Sequence, residues 1–221
     1  GILSLPATRC FSQQSDITHT QYRLPVLLGK AHNPVGGITV LHTGERTEDL
    51  ISVQLSAQQS SKGLIGEVAL WSLGQDSAAA ADTKMGKAVQ VGKGKLNKRG
   101  AVEIKGALPL KKGKNFLVVT VTPSPGASLF DSLQVRATHA RIGGRTSVLP
   151  APARQTWQRI GTAVRQAGQE GVVSHRIPGL ATVQDGTLLS IYDARYRKAQ
   201  DLQGDIDIGL SRSFDKGKTW Q

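Results

Sequence analysis

Short runs in which apolar and polar residues alternate recur through the first two thirds of the chain, at residues 37–41, 50–55, 66–71, 101–104, 115–121 and 132–137. A period of two puts successive side chains on opposite faces of an extended strand, so each run has one face to bury and one to leave in water. Clusters of Gly, Asp, Ser and Pro separate the runs and supply the turns. No segment keeps a helical period; residues 78–81 are all Ala and favour helix, but the stretch is short and flanked by Asp76 and Asp82. Short strands joined by turn chemistry predict an all-β protein whose residues 1–145 form an antiparallel β-sandwich. Residues 143–153, rich in Gly, Pro and small side chains, read as an exposed connector, which puts a linker at 146–156. Trp157 then opens a new strand that runs to Val164.

The densest chemistry lies in the last forty-five residues: His175-Arg176-Ile177-Pro178, Asp193-Ala194-Arg195, Asp201, and a Ser-x-Asp-x-Gly-x-Thr-Trp run formed by Ser213, Asp215, Gly217, Thr219 and Trp220. The last is turn chemistry. Asp215 is placed to accept backbone N–H groups a residue or two ahead, Gly217 to take a positive φ, and Trp220 to drop its ring into a core. Its reading is structural, not catalytic. Pro178 biases Ile177 to an extended conformation, which gives Arg176 a defined direction where an apolar strand begins. A guanidinium so fixed suits a planar carboxylate, gripped by two parallel hydrogen bonds. Taken singly, Arg176 and Arg195 also read as solvated or salt-bridged arginines, and Asp201, in the 197–204 loop, as a turn residue. Tyr192 and Tyr196 read as strand aromatics.

As an ordered set, these elements resemble the opening blade of the bacterial exo-α-sialidase (neuraminidase) family over residues 157–221. The run ending at Trp220 is similar to the Asp boxes repeated around β-propellers. Residues 1–145 resemble the N-terminal module that precedes the propeller in some bacterial sialidases. The resemblance implies a sandwich followed by the beginning of a six-bladed propeller, incomplete in this chain. It implies that Arg176 is one of three arginines holding the substrate carboxylate, that Arg195 lines the site and that Asp201 is the acid/base. His175 stands where the family usually has Tyr or Phe. The family's nucleophilic Tyr, the Glu that activates it and two further arginines belong to later chain, so residues 1–221 are expected to be inactive alone. In a propeller the first strand often pairs with the last blade, so the strand from Trp157 is expected to present a bare edge of the kind that invites aggregation.

The implied chemistry is coherent with the residues. Sialic acid carries a carboxylate on its anomeric carbon, which asks for fork-shaped cations and would repel a carboxylate nucleophile; sialidases use a tyrosine instead. Asp201 would protonate the leaving oxygen and later activate water, which requires it to hold a proton until the substrate arrives. Implied partners are sialylated glycans and the rest of the propeller. A different class of function also fits, a carbohydrate-binding or adhesive module carried by the sandwich with the propeller as scaffold.

The net charge of +12 is uneven: residues 1–150 hold 18 Lys and Arg against 9 acids, and residues 151–221 hold 10 against 7. From Lys84 to Lys114 the basic residues meet a single acid, Glu103. Without interleaved aromatics or a recognisable module, that run reads as a solvated face and not as a nucleic-acid site; attraction to anionic sialylated surfaces is a further option. No apolar stretch approaches a membrane span. Cys10 is the only cysteine, and His19, His32, His42, His139 and His175 lack ligand spacing, so neither a metal nor another cofactor is expected. A start at Gly1 leads to the expectation that a secretion signal has been removed and that the protein is secreted or periplasmic.

Overall fold

The computed structural model describes residues 16–82, 85–152, 155–201 and 204–221; Cys10, Lys84 and Ala153 lie outside them. Its strands are β1 (Asp16–Gln21), β2 (Val26–Leu27), β3 (Asn33–His42), β4 (Glu48–Ala57), β5 (Ile65–Gly74), β6 (Val89–Gly94), β7 (Ala101–Leu110), β8 (Gly113–Pro123), β9 (Ser132–Leu133), β10 (Val135–Ile142), β11 (Arg145–Val148), β12 (Gln158–Gly161), β13 (Ser174–Thr182), β14 (Leu188–Arg195) and β15 (Ile206–Ser213). The Ala run forms a short helix, α1 (Ser77–Asp82), where the Asp76 carboxylate accepts the Ala79 N–H at 2.9 Å and so satisfies one of the free donors of the first turn.

Two sheets, in the orders β1-β3-β8-β5-β6 and β11-β10-β4-β7, form the sandwich. Val40, Leu70 and Val119 from the first share one core with Val53, Leu55 and Ile104 from the second. Burial of an aliphatic side chain of this size contributes about 1.5–3 kcal/mol, and it is the alternation along each strand that delivers these residues to one face. Strand β6 carries no such signal, because Gly92 and Gly94 interrupt it. Those glycines are required: a Cβ at Gly92 would lie 2.9 Å from Ile104 Cγ2, and one at Gly94 2.8 Å from Val102 Cγ2. The edges of the two sheets close on each other at this point. The fold also draws acids to the basic run, pairing Lys93 with Glu67 at 3.0 Å and Lys112 with Glu45. Distant segments thus supply the counter-charges that the local sequence lacks.

Beyond the sandwich the chain departs from expectation in two ways. Part of the expected linker is β11, which pairs with β10. The strand after Trp157 is not bare: β12 lies between β2, to which it is parallel, and β9, to which it is antiparallel. Three buried glutamines fasten this junction. Gln158 donates to the Tyr22 and Val35 carbonyls, Gln21 accepts the Thr156 N–H and donates to the Val135 carbonyl, and Gln134 donates to the Thr156 carbonyl. Gln134 is also where the 132–137 run changes sheets, splitting it into β9 and β10.

Strands β13, β14 and β15 form a separate antiparallel sheet. Reciprocal bonds of 2.9 Å between Arg212 and Gln221 add the first rung of a further strand on β15. The polarity of this sheet is inverted relative to a buried one. Ile191, Ile208 and Leu210 share one face and are exposed. The opposite face buries Tyr192 and Ser211, whose hydroxyl groups are 2.9 Å apart and both accept from Arg165 Nε. Gly209 is fixed by that ring, since an added Cβ would lie 2.8 Å from Tyr192 Cδ2 and Cζ. Gly209→Ala is expected to destabilise the chain by about 2 kcal/mol, and an unchanged urea midpoint would show that the ring is free to move aside.

Candidate active site

Arg176 sits on β13 opposite Asp193 on β14, and Arg195 closes β14 opposite Ser174. Between Arg176 and Gly179 the register shifts, so Ile177 and Pro178 bulge out of the ladder. The expectation of an extended Ile177 is wrong: its φ is +54°, a left-handed conformation that is strained for a β-branched residue and more so before proline. Pairing on both sides holds the strain in place, and Pro178, with no N–H, has no ladder bond to lose. A bulge re-aims the neighbouring side chain, and here the neighbour is Arg176.

Arg176, Arg195 and Asp201, separated in sequence, meet at one point. Asp201 Oδ1 lies 3.1 Å from Arg176 Nη1 and 2.8 Å from Arg195 Nη2. The Ala199 carbonyl accepts from Nη1 of both arginines, at 2.9 and 2.8 Å. Asp193 Oδ2 accepts from Arg195 Nη2 at 2.7 Å. Arg195 is only 2% exposed, whereas Arg176 is 42% and Asp201 66% exposed, so the cluster forms an open wall and not an enclosed cavity. The hydrogen bond from Arg195 and the charge of Arg176 hold the Asp201 carboxyl below its ordinary range. This arrangement favours the carboxylate form of Asp201. The charge-assisted bond that Arg195 donates to Asp193 is the main cause that raises the Arg195 pKa, so Arg195 stays cationic.

Asp193 and the Ala199 carbonyl were not among the expected site groups. Asp193 had a legible signal, since it stands two residues before Arg195 on one strand and therefore shares its face. A backbone carbonyl has none. The contact of Arg165 with Tyr192 was equally invisible, being made across the sheet by the segment after β12.

The run from Ser213 to Trp220 is a closed turn away from this cluster. Asp215 accepts from the Thr219 hydroxyl and N–H at 2.6 and 2.9 Å, four residues ahead instead of one or two, and Ser213 Oγ takes the Gly217 N–H at 2.8 Å. The bonds from Thr219 foremost, with one from the Ser213 hydroxyl at 2.9 Å, lower the Asp215 pKa to about 2. Gly217 has the expected positive φ, +86°, and Lys216 has one as well, +62°. Trp220 is half-buried and donates to the Gly217 carbonyl.

His175 sets its ring edge-on against Tyr192, centroids 5.2 Å apart, as a packing residue would. Among the described residues no group of three or more His, Cys, Asp or Glu side chains could hold a metal ion, and no helix is long and apolar enough to cross a membrane. Two concavities of about 500 Å³ lie elsewhere, one lined by Leu24, Pro25, His32 and Trp71, the other by Leu24, Pro25, Arg23, Trp157 and Arg159.

The chain is similar to known sialidases over most of its length. It is 37% identical over 126 residues to a sialidase of Bacteroides fragilis, covering 57% of this chain and 23% of that protein. Over 45 residues it is 51% identical to a sialidase of Paraclostridium sordellii, covering 20% of this chain and 11% of that one. Its fold matches a Hadza microbial sialidase with a TM-score of 0.76 and 27% identity, over 92% of this chain and 43% of the other. The chain therefore spans less than half the length of each of these relatives. A family model, the N-terminal domain of BNR-repeat neuraminidase, matches residues 14–146. With more than half of its residues inside that match, the chain belongs to the BNR-repeat neuraminidase family, whose N-terminal domain it carries.

Proposed function

We propose that the whole protein is a retaining exo-α-sialidase that releases terminal sialic acid from glycoconjugates, and that residues 157–221 supply the first blade region of its six-bladed catalytic propeller. The observation that carries this reading is the convergence of Arg176 and Arg195 on one carboxylate oxygen. A site that already holds a carboxylate between two guanidinium groups suits a substrate whose anomeric carbon bears one. Arg176 would grip the substrate carboxylate, Arg195 would line the same wall, and Asp201 would protonate the departing glycosidic oxygen and then activate water. The nucleophilic Tyr, its Glu partner and two more arginines would come from the remainder of the propeller. The exposed apolar face of β13–β15 and the rung at Gln221 suit a blade that awaits its fourth strand and its neighbour. In this reading residues 1–145 are an accessory domain, 146–156 a linker, the Ser213–Trp220 turn an Asp box, and the enzyme works outside the cell or in the periplasm.

A second reading, glycan binding through the sandwich, has its own support in the groove where exposed Trp157 lies beside Arg23 and Arg159. One experiment separates the two. Sialyllactose incubated with the whole protein should yield free sialic acid, and with residues 1–221 alone should yield none. Retention of the intact trisaccharide by the whole protein without release would sink the enzymatic reading and leave the binding one.

A further inference from the structure

Three large aromatic side chains stand in water where the sandwich meets the blade: Phe130 is 84% exposed, Phe214 66% and Trp157 45%. They are not scattered. Trp157 is shared by two concavities, the groove with Arg23 and Arg159 and a second of about 550 Å³ that also takes in Ser60, Leu64 and Asp131. Phe130 is shared by that second concavity and a third of about 440 Å³, which holds Phe214, Lys216 and Lys218. The three therefore form one track with an exposed ring at each step, and exposed apolar groups gathered in this way mark a binding surface. Cations stand at both ends, Arg23 and Arg159 at one, Lys216 and Lys218 at the other. Among the described residues none of these four is in an ion pair. The middle has no cation, and its one acid, Asp131, accepts the Ser128 N–H at 2.8 Å. Asp215, at the lysine end, is taken up by its own turn.

We infer that this track binds an unbranched acidic oligosaccharide, one whose carboxylated sugars are separated by neutral ones. The axial C–H groups of a pyranose make an apolar face that lies flat on an aromatic ring, and successive rings suit successive sugars. Charge decides between ligands. A single nucleic-acid strand also stacks on aromatics, but it carries a phosphate at every step, and the middle of the track offers an acid and no cation. A terminal sialic acid gives an unbranched chain one acid, at its tip, whereas the track has cations at both ends. A chain with uronic acids inside it meets both. The track is also clear of the arginine–aspartate cluster. Ser213 pairs with Leu188 at one end of β14 and Ile206 with Arg195 at the other, so the turn that carries Phe214 and the cluster lie at opposite ends of the blade sheet. A polysaccharide held on the track leaves the cluster open. This inference rests on the reading of the Trp157 groove as a glycan site and is compatible with catalysis at the other end of the sheet.

Calorimetric titration of the whole protein at low salt with a hyaluronan hexasaccharide, in which unsulfated uronic acids alternate with neutral N-acetylated sugars, should show binding that the neutral N-acetylglucosamine hexamer lacks. Phe130→Ala should weaken it about tenfold, the usual effect of truncating an aromatic anchor. Arg23→Glu and Lys218→Glu should each weaken it similarly, and added salt should erode it. All three side chains are exposed, so urea midpoints and the cleavage of sialyllactose should stay at wild-type values. Equal affinity for the neutral hexamer, tighter binding of a single-stranded oligonucleotide, or wild-type binding by Phe130→Ala and both charge variants overturns the inference. No binding of the hexasaccharide while sialyllactose is still retained overturns it and leaves the reading of the groove as a glycan site; loss of both removes that reading as well.

Discussion

Asp201→Asn in the whole protein should slow release of sialic acid from sialyl-galactosides by about 10²–10⁴-fold, the usual worth of general acid–base assistance. The amide keeps the shape of the side chain and removes only the transferable proton. The deficit should shrink for an activated aryl sialoside, whose phenolate leaves without a proton, because only the leaving-group step then escapes the need for an acid. Asp215→Asn is the matched control: it should lower stability, since it weakens the bonds from Thr219, and leave the ratio between the two substrates unchanged. Equal losses on both substrates for Asp201→Asn, with normal folding, would show that another group donates the proton.

Arg176→Lys should cost about 10²-fold or more in kcat/KM with the fold retained. Lysine keeps the positive charge but cannot offer two parallel donors to a carboxylate, and small misplacements of a bound substrate are expensive in rate. The residue is partly exposed, on a strand held by its ladder on both sides of the bulge, so folding gives no reason for loss. A near wild-type rate on sialosides in a folded variant would remove Arg176 from the substrate clamp.

The all-β architecture was legible because its strands alternate: residues 50–55 and 115–121 announce which side chains meet in the core, and both do. Strand β6 was not, since its close approach to β7 demands glycines, and glycines read as turn. The bare edge expected after Trp157 failed for a different reason. Strand β12 reaches β2 through hydrogen bonds of Gln21 and Gln158 that span more than a hundred residues, and pairing over such separations leaves no local trace. At the candidate site the three residues Arg176, Arg195 and Asp201 were named from motif order, and the structure brings them together. Their state was not legible. Local rules place a residue before proline in extended backbone, yet the bulge puts Ile177 at φ +54°, and the lowered pKa of Asp201 follows only from knowing which cations surround it.

The glutamine-fastened junction also changes what the segment between sandwich and blade can do. A flexible tether lets an accessory domain explore a volume, and its influence then scales with an effective concentration set by tether length. Here β12 is already woven between β2 and β9 before the blade begins, and Thr162 Oγ1 donates to the Gly217 carbonyl at 2.7 Å on the blade side. The sandwich is thus tied to the β13–β15 sheet through strand pairing and a hydrogen bond, a connection of fixed geometry in place of a tether of variable length.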